Sequence, residues 1–530
     1  MQKDAVPFIG CSVAVAEDAR TAPADGHNNQ TQNMEFSMKR IIHPAQSGLS
    51  RREMLYGLGA AAASAWLAGC GGGGGGSGSG GSGGGNPQPT PSGPLTASTL
   101  SVSGTTAGSI VPAFAGLSYE KNSMALPRFT AGNSNLIGMF QGLGTSLLRI
   151  GGNSVDKTQW TANGAGQTSG QVAPADIDAL AGFLKASGWS VLYGVNLATS
   201  TPALAAAEVA YAVKSLGSSL YGIEIGNEPD LYGSNGYFSS WSLQDFETLW
   251  QQFRTAILQT SPNVVITGPA DATNITSWTI PFGQYATSQQ IALLTQHYYR
   301  GNGQSASSTA AELITPDTTL VSDLAELQKG ATQIGVPFRL AETNSYYNGG
   351  ADGISDSYAS SLWVIDHLFN IALGGGVGAN LHGGGNGDGY TPIADSNGVV
   401  VEARPEYYGM LLFSLAGQGS LLGTTLAAGG LNVTAYAVQA SGGGLNLVVV
   451  NKDSTQNLNL SINCGRSVNI ATLLAMTSPS LTATSGVQIQ GASVGINGSF
   501  APQAAYTLST SGNQVSCYVA PLSAVLIRVS

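Results

Sequence analysis

The feature that most restricts how this chain can fold is an alternation of short apolar runs with amphipathic segments. The apolar runs are FAGLSYE (ending at Glu120), LLRIGGN (from Leu147), SVLYGVNLA (from Ser190), YGIEIGNEPD (from Tyr221), VVITGPA (from Val264), LLTQHYY (from Leu293), FRLAETNSYY (from Phe338) and GVGANLHGG (from Gly376). Each has the length and near-continuous hydrophobicity of a strand covered on both faces. Between them lie segments with helical periodicity and helical start signals. In PADIDALAGFLKAS, Pro174 sits where its missing N–H costs nothing. Thr201 before Pro202, and Ser242 before LQDFETLWQQFRTAILQ, are placed as N-caps. Strand and helix alternating in this way over residues 111–417 predict a closed (β/α)8 TIM barrel. An open doubly wound sheet would need a phosphate-cradling glycine loop after its first strand, and GNSNLIG at Gly132 does not have that spacing.

The pattern changes at about Gln418. Residues 418–530 read as short alternating strands such as LNVTAYAVQ, LNLVVVNK and AVLIRVS, which predict an antiparallel β-sandwich. STLSVSG, within residues 96–110, is also strand-like and is expected to join that sandwich.

The first 95 residues look different again. Residues 1–70 contain the pair Arg51 and Arg52 before LYGLGAAAASAWLAGC, an apolar stretch too short to span a bilayer comfortably. This reads as a twin-arginine export signal ending in a lipoprotein-like processing site, with Cys70 as the lipidated residue. Residues 71–95 read as a Gly/Ser/Pro tether. The expectation is an exported bacterial protein, in the periplasm or at the outer membrane or cell surface, held by a lipid anchor. Export permits disulfides, so Cys464 and Cys517 are expected to pair; their spacing matches no metal site.

Charge is scarce. Only 9% of residues are charged and the formal net charge is -10, which argues against a nucleic-acid partner. The informative charges are two glutamates placed late in apolar runs. Glu228 closes the fourth run, and Glu342, in AETN, is expected at the C-terminal end of the seventh strand, each with an asparagine within two residues (Asn227, Asn344). In a TIM barrel the C-terminal ends of the strands surround one cavity. Two carboxylates facing it suit glycosidic bond cleavage, one attacking the anomeric carbon and the other moving the proton. Tyr298 is placed to donate to Glu342, with His297 on the opposite side of the strand in a structural role. Arg149 and Glu120 are expected on the cavity floor, His382 and Tyr390 near its rim. Trp363 and His367 share a helix face and read as core.

Taken together, LLRIGGNSVD, IEIGNEPD, LAETNSYYNGG and GVGANLHGGG resemble glycoside hydrolase family 79, across Val111 to Ser530. The resemblance implies a barrel with a β-sandwich, no metal and no organic cofactor. It implies Glu228 as acid/base, Glu342 as retaining nucleophile, Asn227 on the sugar 2-hydroxyl and Tyr298 supporting the nucleophile. It further implies a sugar carboxylate held by the loop after the nucleophile, here Tyr347, Asn348, Gly349 and Gly350. Glu120, Asn153 and His382 complete the expected substrate-binding set. The expected partner is a β-glucuronide-containing glycan or glycoconjugate, cleaved from its end because HGGGNGDGYTP is long enough to wall the cleft. An endo-β-glucuronidase, a neutral-sugar β-glycosidase and a non-catalytic carbohydrate-binding protein are the alternatives.

Overall fold

The computed structural model describes residues 86–383 and 389–530. Eight parallel strands close a barrel: Ala115–Glu120, Leu147–Gly151, Ser190–Val195, Leu220–Ile225, Ile266–Asp271, Leu293–Asn302, Phe338–Tyr347 and Ala379–Gly383. They follow one another in chain order, and the eighth pairs with the first through Leu381 opposite Leu117. The closed barrel leaves no sheet edge. The TIM-barrel expectation holds, and all eight apolar runs became barrel strands.

The helices start where their caps lie. Thr201 accepts from the Leu204 N–H, and Ser242 and Asp245 cap each other's backbone N–H groups. Asp176 accepts from the Ala173 N–H at 2.9 Å ahead of Pro174. Helix Leu243–Thr260 buries Phe246, Trp250, Phe253 and Ile257, one face at helical spacing, against the strands.

Of the remaining described strands, eleven form one continuous sheet, which makes the second domain, and four pair off as two two-stranded ribbons. The strand Leu95–Ile110 lies within the eleven-stranded sheet, antiparallel to Gly419–Ala427 and parallel to Asn457–Asn463. The sheet is therefore mixed. Leu447, Val449, Leu458, Leu460, Val515 and Ile527 are buried together in a core of its own. The opposite face of the same strands carries Val448, Val450 and Leu526, which belong to the core shared with the barrel. There Tyr436 stacks on Phe369 with ring centroids 4.2 Å apart, and the Tyr358 hydroxyl donates to the Met476 carbonyl.

One expectation needs correction. Cys464 and Cys517 are both buried free thiols, not a disulfide. Cys517 lies opposite Leu460 on the neighbouring strand, whereas the Cys464 N–H bonds to Asn513. That is an offset of about 13 Å along the ladder at roughly 3.3 Å per residue, beyond a disulfide's reach. Among the described residues no helix is long and apolar enough to cross a membrane. Residues 1–85, with the twin-arginine signal and Cys70, lie outside the described residues. Part of the segment read as tether is docked on the sheet, where Gln88 donates to the Tyr518 carbonyl and accepts from its N–H.

Candidate active site

Inward-facing polar residues of the barrel build the site around one cation. Arg149, on the second strand, is fully buried. Its guanidinium donates to Glu224 at 2.6 Å, to Glu342 at 2.6 Å, to Asn227 Oδ1 at 2.9 Å and to Ser118 Oγ at 3.3 Å. A planar fork with five donors can organise several acceptors at once, which a lysine cannot. Glu224 was not anticipated. Its signal was a charge between Ile223 and Ile225 in an otherwise apolar run.

Glu342 lies in the middle of the seventh strand, which runs on to Tyr347, rather than at its end. One carboxylate oxygen takes the Arg149 bond and the other accepts from Tyr299 Oη at 2.8 Å. His382 Nδ1 is 3.6 Å away. Burial pushes the Glu342 pKa up, but His382, His297, Arg149 and the Tyr299 hydroxyl together hold it well below the usual carboxylate range. Glu342 is therefore an anion at any physiological pH.

The hydroxyl on Glu342 belongs to Tyr299, which corrects the expectation for Tyr298. Tyr298 turns outward and donates to Asp317 at 2.8 Å. Strand alternation puts His297 and Tyr299 on the inner side together. His297 Nδ1 stands 3.0 Å from Glu228 Oε1, so its role is at the site rather than in the core. Trp363 and His367 do pack in the core, stacked 4.6 Å apart.

Glu228 is half-buried and adopts a left-handed backbone, φ 50 and ψ 53. That conformation costs a non-glycine residue on the order of 1–2 kcal/mol and persists only where the surroundings enforce it. Gly226 just before is also left-handed, and a Cβ there would stand 2.6 Å from the Tyr232 hydroxyl. The Glu228 N–H bonds to the Ala270 carbonyl, and Trp241 donates to the Pro229 carbonyl at 2.7 Å. Asn227 is buried and sits behind Glu228, its orientation set by Arg149.

A cavity of about 540 Å³ opens over the pair. Of the residues expected from sequence, Glu228, Glu342, Glu120, Asn153, His382, Tyr347, Asn348, Gly349 and Tyr390 line it; Arg149, Asn227, Tyr298 and Gly350 do not. Leu231, Asn235, Ala272 and Thr273 line it too and were missed, because residues of ordinary polarity between the barrel elements carry no sequence signal; Tyr299, on the sixth strand, was missed in favour of its neighbour Tyr298. His382 bridges two acids, with Nε2 3.7 Å from Glu120 and Nδ1 near Glu342. Burial lowers its pKa, but Glu342 and Glu120 raise it by more. Glu120 in turn accepts from the N–H groups of Asn153 and Ser154. Asn348, Gly349 and Gly350 have φ of 64, 81 and 85, three left-handed residues in a row. Residues 384–388, the middle of the expected wall, lie outside the described residues.

One donor atom each from Glu228, His297 and Glu342 lie within 4.8 Å of one another. Such a set could hold a divalent ion. The Arg149 cation already bonded to Glu342 disfavours a second cation there.

No protein-family model matches the chain. Over 252 residues, 42% of this chain, it is 27% identical to a β-glucuronidase of Aspergillus niger. It is also 27% identical over 253 residues to a heparanase of Mus musculus. These matches span 46% and 45% of those proteins, so the chain spans about half the length of the curated relatives it matches. Among solved structures, a 4-O-α-L-rhamnosyl-β-D-glucuronidase from Fusarium oxysporum superposes with a TM-score of 0.70 at 20% identity. It covers 81% of this chain and 99% of its own. An arabinofuranosidase from Xanthomonas axonopodis pv. citri gives 0.60 at 15% identity, covering 82% of this chain and all of its own. The fold is the one these TIM-barrel glycosidases share.

Proposed function

We propose that this chain is a retaining glycoside hydrolase that releases terminal β-linked glucuronic acid by double displacement. The observation that carries this reading is the Glu228–Glu342 pair. One oxygen of each lies within 4.8 Å of the other, a close approach that suits a retaining pair, whose carboxyl groups stand about 5–5.5 Å apart. The pair is also asymmetric. Glu342 carries the Arg149 guanidinium on one oxygen and a hydroxyl on the other, which suits a nucleophile. Among the described residues Glu228 has one polar side-chain partner, His297, and it opens on the cavity, which suits an acid that donates a proton and later takes one from water.

In the first step Glu342 attacks the anomeric carbon while Glu228 protonates the departing oxygen. As the carboxylate charge is spent in forming the ester, Arg149 keeps Glu224 as partner. In the second step Glu228 deprotonates water, which releases the sugar. Asn227, with its carbonyl oxygen held by Arg149, stands behind the acid/base rather than in the cavity.

Among the described residues no arginine or lysine lines the cavity, so a sugar carboxylate is held by other means. Tyr347 offers a hydroxyl, and the left-handed run Asn348–Gly350 offers N–H groups that donate to no other described residue. Successive N–H groups of this kind can gather around an anion. The glucuronidase and heparanase names of the sequence relatives support this choice of sugar, and a cavity lining without arginine or lysine favours a neutral sugar as the second reading.

Hydrolysis of matched nitrophenyl β-glucuronide and β-glucoside, by wild type and Glu342→Gln, tests it. Glucuronide turnover that vanishes in the variant supports both sugar and mechanism. Preference for the glucoside keeps the carboxylate chemistry and removes the role of Tyr347–Gly350. Turnover of neither points to an endo enzyme or a binding protein.

A further inference from the structure

Asp156 is buried just beyond the second barrel strand, in the short turn Val155–Lys157. It lines no part of the cavity, yet its carboxylate accepts four hydrogen bonds from two other loops. Oδ1 accepts from the N–H groups of Leu197 and Ala198, at 2.9 and 3.0 Å, in the loop after the third strand. Oδ2 accepts from the Asn227 N–H at 3.2 Å and from Tyr232 Oη at 2.6 Å, on either side of Glu228 in the loop after the fourth. The Tyr232 hydroxyl itself lies 3.3 Å from the Asn227 nitrogen, which closes a small ring of polar contacts.

Glu228 comes directly after Asn227 and holds a left-handed backbone that an unsupported glutamate avoids. Asn227 on its N-terminal side and Tyr232 on its C-terminal side are both fixed to the same Asp156 oxygen. We propose that Asp156 is a positioning residue for the acid/base: by clamping Asn227 and Tyr232 it sets the direction in which the Glu228 carboxyl enters the cavity. This rests on the reading of Glu228 as the general acid. Asp156 meets no reacting atom, so its effect passes entirely through the Glu228 loop.

The carboxylate is matched to four donors, and an amide is not. In Asp156→Asn one oxygen becomes an NH2 group. The Leu197 and Ala198 N–H groups are both fixed backbone donors, so the remaining oxygen stays with them. The NH2 then faces the Asn227 N–H, donor against donor, and pushes the start of the Glu228 turn away. Tyr232→Phe is milder. It removes one hydroxyl and leaves the other three bonds.

The test compares kcat/KM for phenyl and 2,4-dinitrophenyl β-glucuronide in wild type, Glu228→Ala, Asp156→Asn and Tyr232→Phe. General acid assistance is worth about 100-fold or more to a poor leaving group and little to an activated one. Glu228→Ala should therefore lose mostly on the phenyl substrate. Asp156→Asn should shift in the same direction, losing on the order of 100-fold on phenyl and severalfold at most on dinitrophenyl. Tyr232→Phe should shift the same way by less. A role in folding alone would lower activity on both substrates equally. Equal factors for Asp156→Asn, or a wild-type ratio, overturn the proposal. If Asp156→Asn does not fold, an unchanged ratio in Tyr232→Phe overturns it instead. Equal losses in Glu228→Ala would overturn the acid assignment itself, a failure separate from the first.

Discussion

Glu228 and Glu342 are the same side chain in two electrostatic settings, and that difference is what the site is built to maintain. Tyr299 donates to Glu342 at 2.8 Å. Hydrogen bonds to charged groups are worth about 1.5–3 kcal/mol, so Tyr299→Phe should lower kcat/KM by roughly 10- to 100-fold with the fold intact. Tyr298→Phe, removing a bond to Asp317, should leave kcat/KM nearly unchanged. His382 is the group whose titration should be visible. Glu342 and Glu120 outweigh its burial and raise its folded pKa above the unfolded value of about 6.5. Its stabilising contribution is therefore complete below about pH 6.5 and is lost as pH rises through the folded value. Melting temperature followed from pH 6 upward should fall in wild type and fall less in His382→Asn. A slope unchanged by the substitution would remove His382 as the cause. Glu342 behaves in the opposite sense: its folded pKa is depressed, so its contribution is present above the unfolded value and is lost only in strong acid.

At the scale of elements, the barrel strands place the carboxylates and the loops aim them. The sixth and seventh strands continue past the barrel as a paired ribbon, with Tyr346 opposite Gly301 and Tyr347 opposite Asn302. This carries Tyr347 and the Asn348–Gly350 turn out to the cavity wall, five residues and more from the nucleophile. The helix after the Glu228 loop is anchored at its start by the Ser242–Asp245 pair. Ser242→Ala should cost about 1 kcal/mol of stability, measured by urea unfolding, because a helix-end N–H loses its partner. Its effect on kcat/KM should be small, since the cap lies beyond the Trp241–Pro229 bond that holds the loop.

At the scale of the whole molecule, the sheet and the barrel share a core, and the strand Leu95–Ile110 is bonded on both sides within the sheet. Deleting residues 95–110 strips partners from two strands at once, so the protein should lose its cooperative thermal transition rather than shed a tail. The buried cysteines predict a simpler outcome. Cys517 is pushed up to about 12 by burial, so its thiol is unreactive in the folded state. Reductant should leave the melting temperature unchanged, and a thiol reagent should reach Cys464 and Cys517 only after denaturation. A reductant-dependent fall would restore the disulfide.

The barrel was legible in the sequence because each strand and helix announces itself locally, through apolar runs, proline at helix starts and capping residues such as Thr201 and Ser242. The two glutamates were legible for a related reason: a charge late in an apolar run has few places to go except a cavity. Arg149 was expected on the cavity floor, but it lies fully buried beneath the lining, where it joins Glu224, Asn227 and Glu342. Which tyrosine meets Glu342 depends on strand parity, and moving one position turns a side chain from the cavity to the outside. The cysteine pairing depended on register between strands that sequence spacing does not encode. Asp156 carries no local signal, since its four bonds come from segments about 40 and 70 positions away. Local chemistry writes strands, helices and caps into the chain, whereas partnership across a barrel exists only once the barrel has closed.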